Sequence, residues 1–313
     1  MTYTLLILMA IFPILVIGFI VYNVDKEKES LKSIVIFYSL GLFSAFIASI
    51  LETIFYLKET SMLFIFIDCF IFIALIEELS KYFCTLLGTK ISNSYDNFFD
   101  SIVFCTAVGL GFAGIENILY VFRSHSVSLA TGLSVGLLRA LLAVPGHAAF
   151  AIFMGYFLDK KNEYKYKGKS PLLFGALAII VPVILHGIYD FFCLTIAIID
   201  SPIYFIIFCI YIVFLYVSSI ILIVNGARKS HIRFDGVNNM SFIFKCFNCG
   251  KALKYTVCNK CGVDNTNYIN AINRYAEVNG KYPDMSNGTL KICNKCGNFS
   301  DGYFCNKCGN VIK

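Results

Sequence analysis

Seven long apolar runs, separated by short polar connections, dominate the chain up to about Val224. They lie near 3–24, 33–57, 62–88, 98–122, 128–158, 171–199 and 202–224. Each holds enough residues to cross a bilayer, for which roughly 20 helical residues suffice. None alternates with the period of a half-buried strand, so the pattern predicts an all-α polytopic membrane protein of about seven transmembrane helices. The first run has no Lys or Arg before Lys26 and is too long for the core of a signal peptide, so it reads as a retained anchor.

Composition excludes a soluble domain. The 313 residues are 58% hydrophobic and 15% charged, where soluble domains carry about half and a quarter. The net charge of +6 is explained by sidedness rather than by nucleic acid, which is disfavoured as a partner. Lys26, Lys28, Lys32, Lys90, Lys160, Lys161, Lys165, Lys167, Lys169, Arg228, Lys229 and Arg233 follow odd-numbered spans, whereas only Lys58 and Arg123 follow even-numbered ones. This bias predicts an N-terminus outside and a C-terminal tail in the cytoplasm, which requires an odd number of spans.

The tail is a second module and holds eight of the 13 cysteines. Cys246, Cys249, Cys258 and Cys261 form two C-x-x-C knuckles, and Cys293, Cys296, Cys305 and Cys308 repeat the spacing. Four thiolates so arranged suit tetrahedral zinc in a closed structural site, so two structural zinc ions are expected in a double zinc ribbon. A disulfide framework is the alternative, and a reducing cytoplasm argues against it. The expected organisation is a membrane domain over 1–227, a juxtamembrane linker over 228–245, a first ribbon over 246–262, a linker over 263–292 with a short helix around INAINRYAEV, and a second ribbon over 293–313. The ribbons suit a cytoplasmic protein partner.

Four of the spans also carry ionisable residues, where an unpaired charge costs at least ~2.5 kcal/mol and usually marks a pathway or a site. Glu77, Glu78 and Lys81 share a helix face, so the lysine can neutralise one carboxylate while the other is kept usable as a base. Glu116 lies in a glycine-rich span whose Gly109, Gly111 and Gly114 invite close helix approach. Arg139 needs an intramembrane acid, either Glu116 or Asp190. His147 follows Pro145 and Gly146, a pair expected to break the helix and expose carbonyls. His186 and Asp190 are one turn apart, so the carboxylate can orient the imidazole. Glu77 and His186 each fall about 15 residues into their spans, a depth of roughly 22 Å from opposite sides, so they can meet. Glu52 and Asp68 are expected to reach the interface, Cys69, Cys84, Cys105, Cys193 and Cys209 to be small buried hydrophobes, and His125 and His231 to play no part in the chemistry.

In this order, EELSK at 77–81, FAGIE at 112–116 and HGIYD at 186–190 resemble the EExxK, FxxxE and HxxxD motifs of the PrsW family of intramembrane proteases, and RALLAVPGHA resembles its additional motif. The resemblance covers about 60–225 and extends to the CAAX-processing and bacteriocin-immunity membrane proteases. It implies a multi-pass protease of the bacterial cytoplasmic membrane that cleaves a single-span anti-sigma factor in a stress response. By position, Glu77 would activate water, Glu78 would tune it, Lys81 would balance charge, and His186 with Asp190 would bind the scissile carbonyl. Phe112, Arg139 and His147 would support the site. The CAAX-type relatives have His in the second motif and Asn in the third, where this chain has Glu116 and Asp190. Two mechanisms therefore stay open: a metal-free glutamic protease, the favoured one, or a zinc enzyme with Glu116, His186 and His147 as ligands and Glu77 as base. The alternative functions are a proton- or ion-coupled transporter using the same residues, and a non-catalytic sensor or scaffold that recruits partners through its ribbons.

Overall fold

The computed structural model describes residues 2–25, 28–55, 61–92, 97–166 and 169–228, with short stretches of the tail at 248, 258, 261–265, 269, 291–293 and 299–300. Every regular element among the described residues of the membrane domain is a helix. Its elements are α1 (Thr2–Val24), α2 (Leu31–Phe55), α3 (Met62–Ile67), α4 (Leu75–Ser92), α5 (Asp100–His125), α6 (Leu129–Leu138), α7 (Val144–Tyr166), α8 (Leu172–Ile199) and α9 (Pro202–Ala227). Two π-helical segments, Asp68–Ala74 and Arg139–Ala143, join α3 to α4 and α6 to α7 without a break.

Six described stretches are long and apolar enough to cross a membrane: Tyr3–Val24, Leu31–Phe55, Asp100–His125, Leu129–Lys165, Leu172–Ile199 and Pro202–Ala227. The seventh expected span is the continuous run through α3 and α4, which Glu77, Glu78 and Lys81 set apart from those six. The protein is a multi-pass membrane protein. Its lipid-facing surface is built of residues such as Phe12, Phe19, Ile203, Ile210 and Val213, which stay exposed within the bundle. In hydrocarbon such exposure is favourable, and helix association rests on packing and polar contacts instead.

The α5 helix is central and packs against α1, α2, α4, α6 and α7. Close approach requires its glycines. A side chain at Gly111 would run into the Tyr38 carbonyl of α2, and one at Gly109 would meet the Ala151 Cβ of α7 at 2.7 Å. The outer layer is formed by α8 on α7 and the α4 run, and by α9 on α7 and α8.

The ends and irregularities follow from local chemistry. Ser128 caps α6 by accepting a hydrogen bond from the Thr131 N–H. The α8–α9 hairpin uses Asp200 in the left-handed region (φ 43°), a conformation short polar side chains tolerate, and Pro202 in the first turn of α9. Pro145 and Gly146 do not break α7, which runs through them. The irregularity lies one turn earlier, in the π segment. Pro145 has no N–H for the Leu141 carbonyl, and the Tyr216 hydroxyl from α9 donates to the Leu141 and Leu142 carbonyls at 3.1 and 3.0 Å. Inside a bilayer a freed carbonyl needs such a substitute.

Of the tail cysteines, Cys258, Cys261 and Cys293 are described, and Cys246, Cys249, Cys296, Cys305 and Cys308 lie outside the described residues, as does most of INAINRYAEV. The Cys258 N–H donates to the Val263 carbonyl and the Gly262 N–H to the Cys258 carbonyl, with Gly262 at φ +68°. The two short strands β1 (Lys291–Ile292) and β2 (Phe299–Ser300) pair antiparallel on either side of the third C-x-x-C knuckle in the sequence, Cys293 to Cys296.

Candidate active site

The four charged spans converge on one buried cluster. From α4, the Lys81 ammonium donates to Glu78 Oε1 at 2.7 Å and to Glu77 Oε2 at 3.1 Å, so it holds both carboxylates rather than one. It also lies 3.2 Å from His147 Nδ1 on α7 and 4.0 Å over the Phe112 ring of α5. A lysine ammonium can only donate, so His147 Nδ1 accepts and the ring proton sits on Nε2. That Nε2–H donates to Glu116 Oε2 at 2.6 Å. Glu116 in turn pairs with Arg139 Nη2 at 3.0 Å. Of the two acids weighed as partners for Arg139, the structure selects Glu116.

His186 on α8 completes the cluster. Its Nδ1 donates to Glu78 Oε1 at 2.9 Å, while Nε2 lies 3.3 Å from Asp190 Oδ2 and 3.9 Å from Glu77 Oε2. The Phe150 ring stacks on it at 4.7 Å. Glu77 and His186 thus meet, as their equal depths suggested, and Asp190 Oδ2 stands near His186 Nε2 without a hydrogen bond to it among the described residues.

Arg139 and His147 both reach Glu116 although eight residues separate them. In an α-helix eight residues overshoot two turns by about 80°. The π segment Arg139–Ala143 holds more residues per turn and brings the two side chains back to one face. The other π segment, Asp68–Ala74, ends just before Glu77.

Exposure divides the cluster into a sealed floor and a rim. The Glu78 side chain is 0% exposed, and Glu77, Lys81, His147 and His186 are also buried. Glu116 and Asp190 keep 23% and 18% of their side-chain surface.

Three expectations need correction. Glu52 does not simply reach the interface: its Oε1 is sealed from solvent, and the residue lies within electrostatic reach of Glu116, Lys81, His186 and Asp190. Its position one turn beyond Ala48 on α2, where Ala48 packs on Phe112, explains this. Cys193 and Cys209 are exposed on the lipid side rather than buried, because α8 and α9 form the outer layer. The metal-capable set is Glu77, Glu78, His147 and His186, with one ligand atom from each lying within 4.8 Å of the others. Glu116 is not in that set, because Arg139 and the far side of His147 engage it.

This set fits a divalent metal such as zinc. Two imidazoles and two carboxylates are zinc donors, and a carboxylate behind a ligating histidine is the usual second layer of such a site. Glu78 Oε2 is buried with no hydrogen-bond partner among the described residues. Five carboxylates (Glu52, Glu77, Glu78, Glu116, Asp190) face only two fixed cations (Lys81, Arg139) among the described residues, so the cluster has room for further positive charge. A dication and the Lys81 ammonium would compete for the same two carboxylates.

Sequence reasoning missed Asn117, Phe150 and Tyr216. Asn117 is fully buried, accepts from Arg139 Nε at 3.0 Å and donates to the Ala10 carbonyl of α1 at 2.9 Å. Its place next to Glu116 on an otherwise apolar span was the available signal.

Comparison with known proteins agrees with the geometry. Protease PrsW of Oceanobacillus iheyensis is 41% identical over 128 residues, which is 41% of this chain and 54% of that protein. Protease PrsW of Clostridioides difficile is 34% identical over 194 residues, 59% of this chain and 78% of the relative. Protease PrsW of Geobacillus kaustophilus is 35% identical over 127 residues, 41% of this chain and 52% of the relative. The chain thus spans about half the length of the first and third of these relatives. No solved structure matches it. Residues 29–217, well over half of the chain, match the PrsW family intramembrane metalloprotease. The chain belongs to the PrsW family of intramembrane metalloproteases.

Proposed function

We propose that the protein is an intramembrane endopeptidase that hydrolyses a peptide bond within or beside the membrane span of a single-span regulatory protein such as an anti-sigma factor. The observation that carries this reading is the meeting of Glu77, Glu78, His147 and His186 in one buried cluster with a half-open rim. Peptide hydrolysis needs water, a base and a group that stabilises the oxyanion, and hydrocarbon provides none of these unless side chains build them in.

In this reading His147, His186 and Glu78 would hold a zinc ion, the two-histidine, one-glutamate set of many zinc hydrolases. The metal when bound would supply Lewis-acid polarisation and lower the pKa of water. Glu77 takes the proton from the attacking water, and Lys81 holds the Glu77 carboxylate in place. Glu116 keeps the His147 proton on Nε2, so that Nδ1 faces the site. Asp190 orients His186 from the rim. Phe112 and Phe150 wall the cluster and exclude bulk water. The metal-free alternative uses the same Glu77 base, with His186 polarising the carbonyl.

The lysine and arginine bias supports an orientation with the N-terminus outside and the tail cytoplasmic. In that orientation the rim residues Glu116, Arg139 and Asp190 lie toward the outer side of the bilayer. The tail reads as two structural zinc ribbons whose folding energy comes from metal. The turn at Cys258–Val263 and the β1–β2 pairing are compatible with zinc knuckles.

The test is reconstitution of the purified protein with a single-span substrate. The parent should yield a new fragment, and Glu77→Gln and His186→Ala should lower the rate at least ~100-fold, the scale of removing a catalytic base. Variants that cleave as well as the parent would refute the assignment. Metal dependence is read by removing zinc and adding it back in a variant whose eight tail cysteines are replaced by serine, so that the tail does not confuse the result. Activity that survives metal removal there would select the metal-free alternative.

A further inference from the structure

The helix that precedes the family-matched region is wired to the site. The family match begins at residue 29, beyond α1. Yet the Ala10 carbonyl of α1 accepts from Asn117 Nδ2 at 2.9 Å, and Asn117 Oδ1 accepts from Arg139 Nε at 3.0 Å. Arg139 Nη2 contacts Glu116 Oε2 at 3.0 Å, and Glu116 holds His147 Nε2 at 2.6 Å. Four helical elements are tied in series, and the last link points His147 Nδ1 at Lys81 and Glu77.

We infer that Asn117 is a positioning residue for the reaction, which anchors Arg139 to α1 and through Glu116 sets the tautomer and aim of His147. Asn117 matches both neighbours in chemistry. Its amide offers a carbonyl oxygen to the guanidinium and an N–H to the backbone from two separate atoms, so it can serve both neighbours at once. The anchor on α1 has a local cause as well. Pro13 contributes no N–H to the Met9 carbonyl, the neighbour of the Ala10 carbonyl, so this turn of α1 lies where a membrane helix accepts an outside donor. Leu6 and Ala10 are fully buried, so α1 is held firmly against the bundle at this level. The inference rests on the protease reading for its kinetic part and on geometry alone for its spectroscopic part.

The experiment uses the full chain. Asn117→Ala should lower kcat about tenfold and leave KM within about twofold, the scale seen when an outer partner of a site histidine is lost. Thr106→Ala, another buried polar deletion on α5, removes only a hydrogen bond to the Ile102 carbonyl and should leave kcat unchanged. Arg139→Lys keeps a cation for Glu116 but loses the Nε–H that Asn117 holds, and it should behave as Asn117→Ala does even where that variant folds poorly. The double variant Asn117→Ala with Arg139→Lys should be no slower than Arg139→Lys alone, since both act through one chain of contacts. Losses that multiply would overturn the proposal. Nitrogen-15 spectra of histidine-labelled protein, with His147 assigned by its disappearance in His147→Gln, give a readout free of activity. The parent should show His147 protonated on Nε2, and Asn117→Ala a mixture of tautomers. An unchanged His147 signal in that variant would overturn the proposal even if kcat fell. If the parent cleaves nothing, the protease reading fails and the spectra alone decide the relay.

Discussion

Helices α5 and α9 are the same length, 26 residues, and differ in almost everything else. The most apolar stretch of α9 has a mean hydropathy of 2.9 and is 22% buried, whereas that of α5 has 1.8 and is 78% buried. In a water-soluble protein the ranking would be reversed. Here the solvent is hydrocarbon, so the more apolar of the two helices is the one that faces outward. The centre is reserved for glycines, which let backbones touch, and for polar groups, which have no other shelter. The lesson is that burial in this fold follows polarity and small size, and that the site is where those residues accumulate.

Substitutions on the two helices should separate accordingly. The largest effect is expected from Glu116→Ala on α5, which leaves both Arg139 and His147 without their shared acid. Breaking a buried pair on one side costs about 3–5 kcal/mol. Equilibrium unfolding in mixed detergent micelles should show that loss together with a fall in cleavage. A loss below about 1 kcal/mol would mean that Glu116 is solvated rather than structural. Next comes Gly111→Leu, whose side chain meets the α2 backbone at Tyr38. Overpacking of this kind costs ~3 kcal/mol, read in the same unfolding experiment, because a backbone cannot step aside as a side chain can.

Smaller effects should come from α9. Tyr216→Phe removes the donor to the Leu141 and Leu142 carbonyls and should cost about 1 kcal/mol, the net value of a typical hydrogen bond. This substitution sharpens the contrast, since Tyr216 is where the outer helix does inner work. Ile210→Ala, on the lipid face of α9, should change stability by no more than about 0.5 kcal/mol, since surface positions away from special features rarely do more. A large loss there would show that this face is covered by protein, and would break the comparison.

Much of the arrangement was legible along the chain. The apolar runs give the helices, and the spacing of Glu77, Glu78 and Lys81, or of His186 and Asp190, places each group on one face of its own helix. Such periodic relations act within a single element, which is why they survive in one dimension. Glu52 and Asn117 were not legible, because each acquires its meaning from a neighbour on another helix: Asn117 from Ala10 and Arg139, and Glu52 from the level at which α2 lies beside α5. Glu116 lay between these cases. Its motif position marked it, but whether it faces a metal or an arginine depends on the rotation of α7, and the π segment Arg139–Ala143 sets that rotation.

The amino-acid sequence by itself determined that this chain crosses the membrane repeatedly, which spans carry charge, and which charged residues share a helix face. Hydropathy and the 3.6-residue period are properties of the local chain, so no packing was needed to read them. Only the tertiary structure decided that Lys81 reaches His147, that Arg139 belongs to Glu116, and that the α4 glutamates Glu77 and Glu78 join His147 and His186 in the set able to hold a metal. Those are distances between helices, set by where glycines allow backbones to approach and where a π turn rotates a side chain. In a medium without water, every polar group must find its partner through that packing.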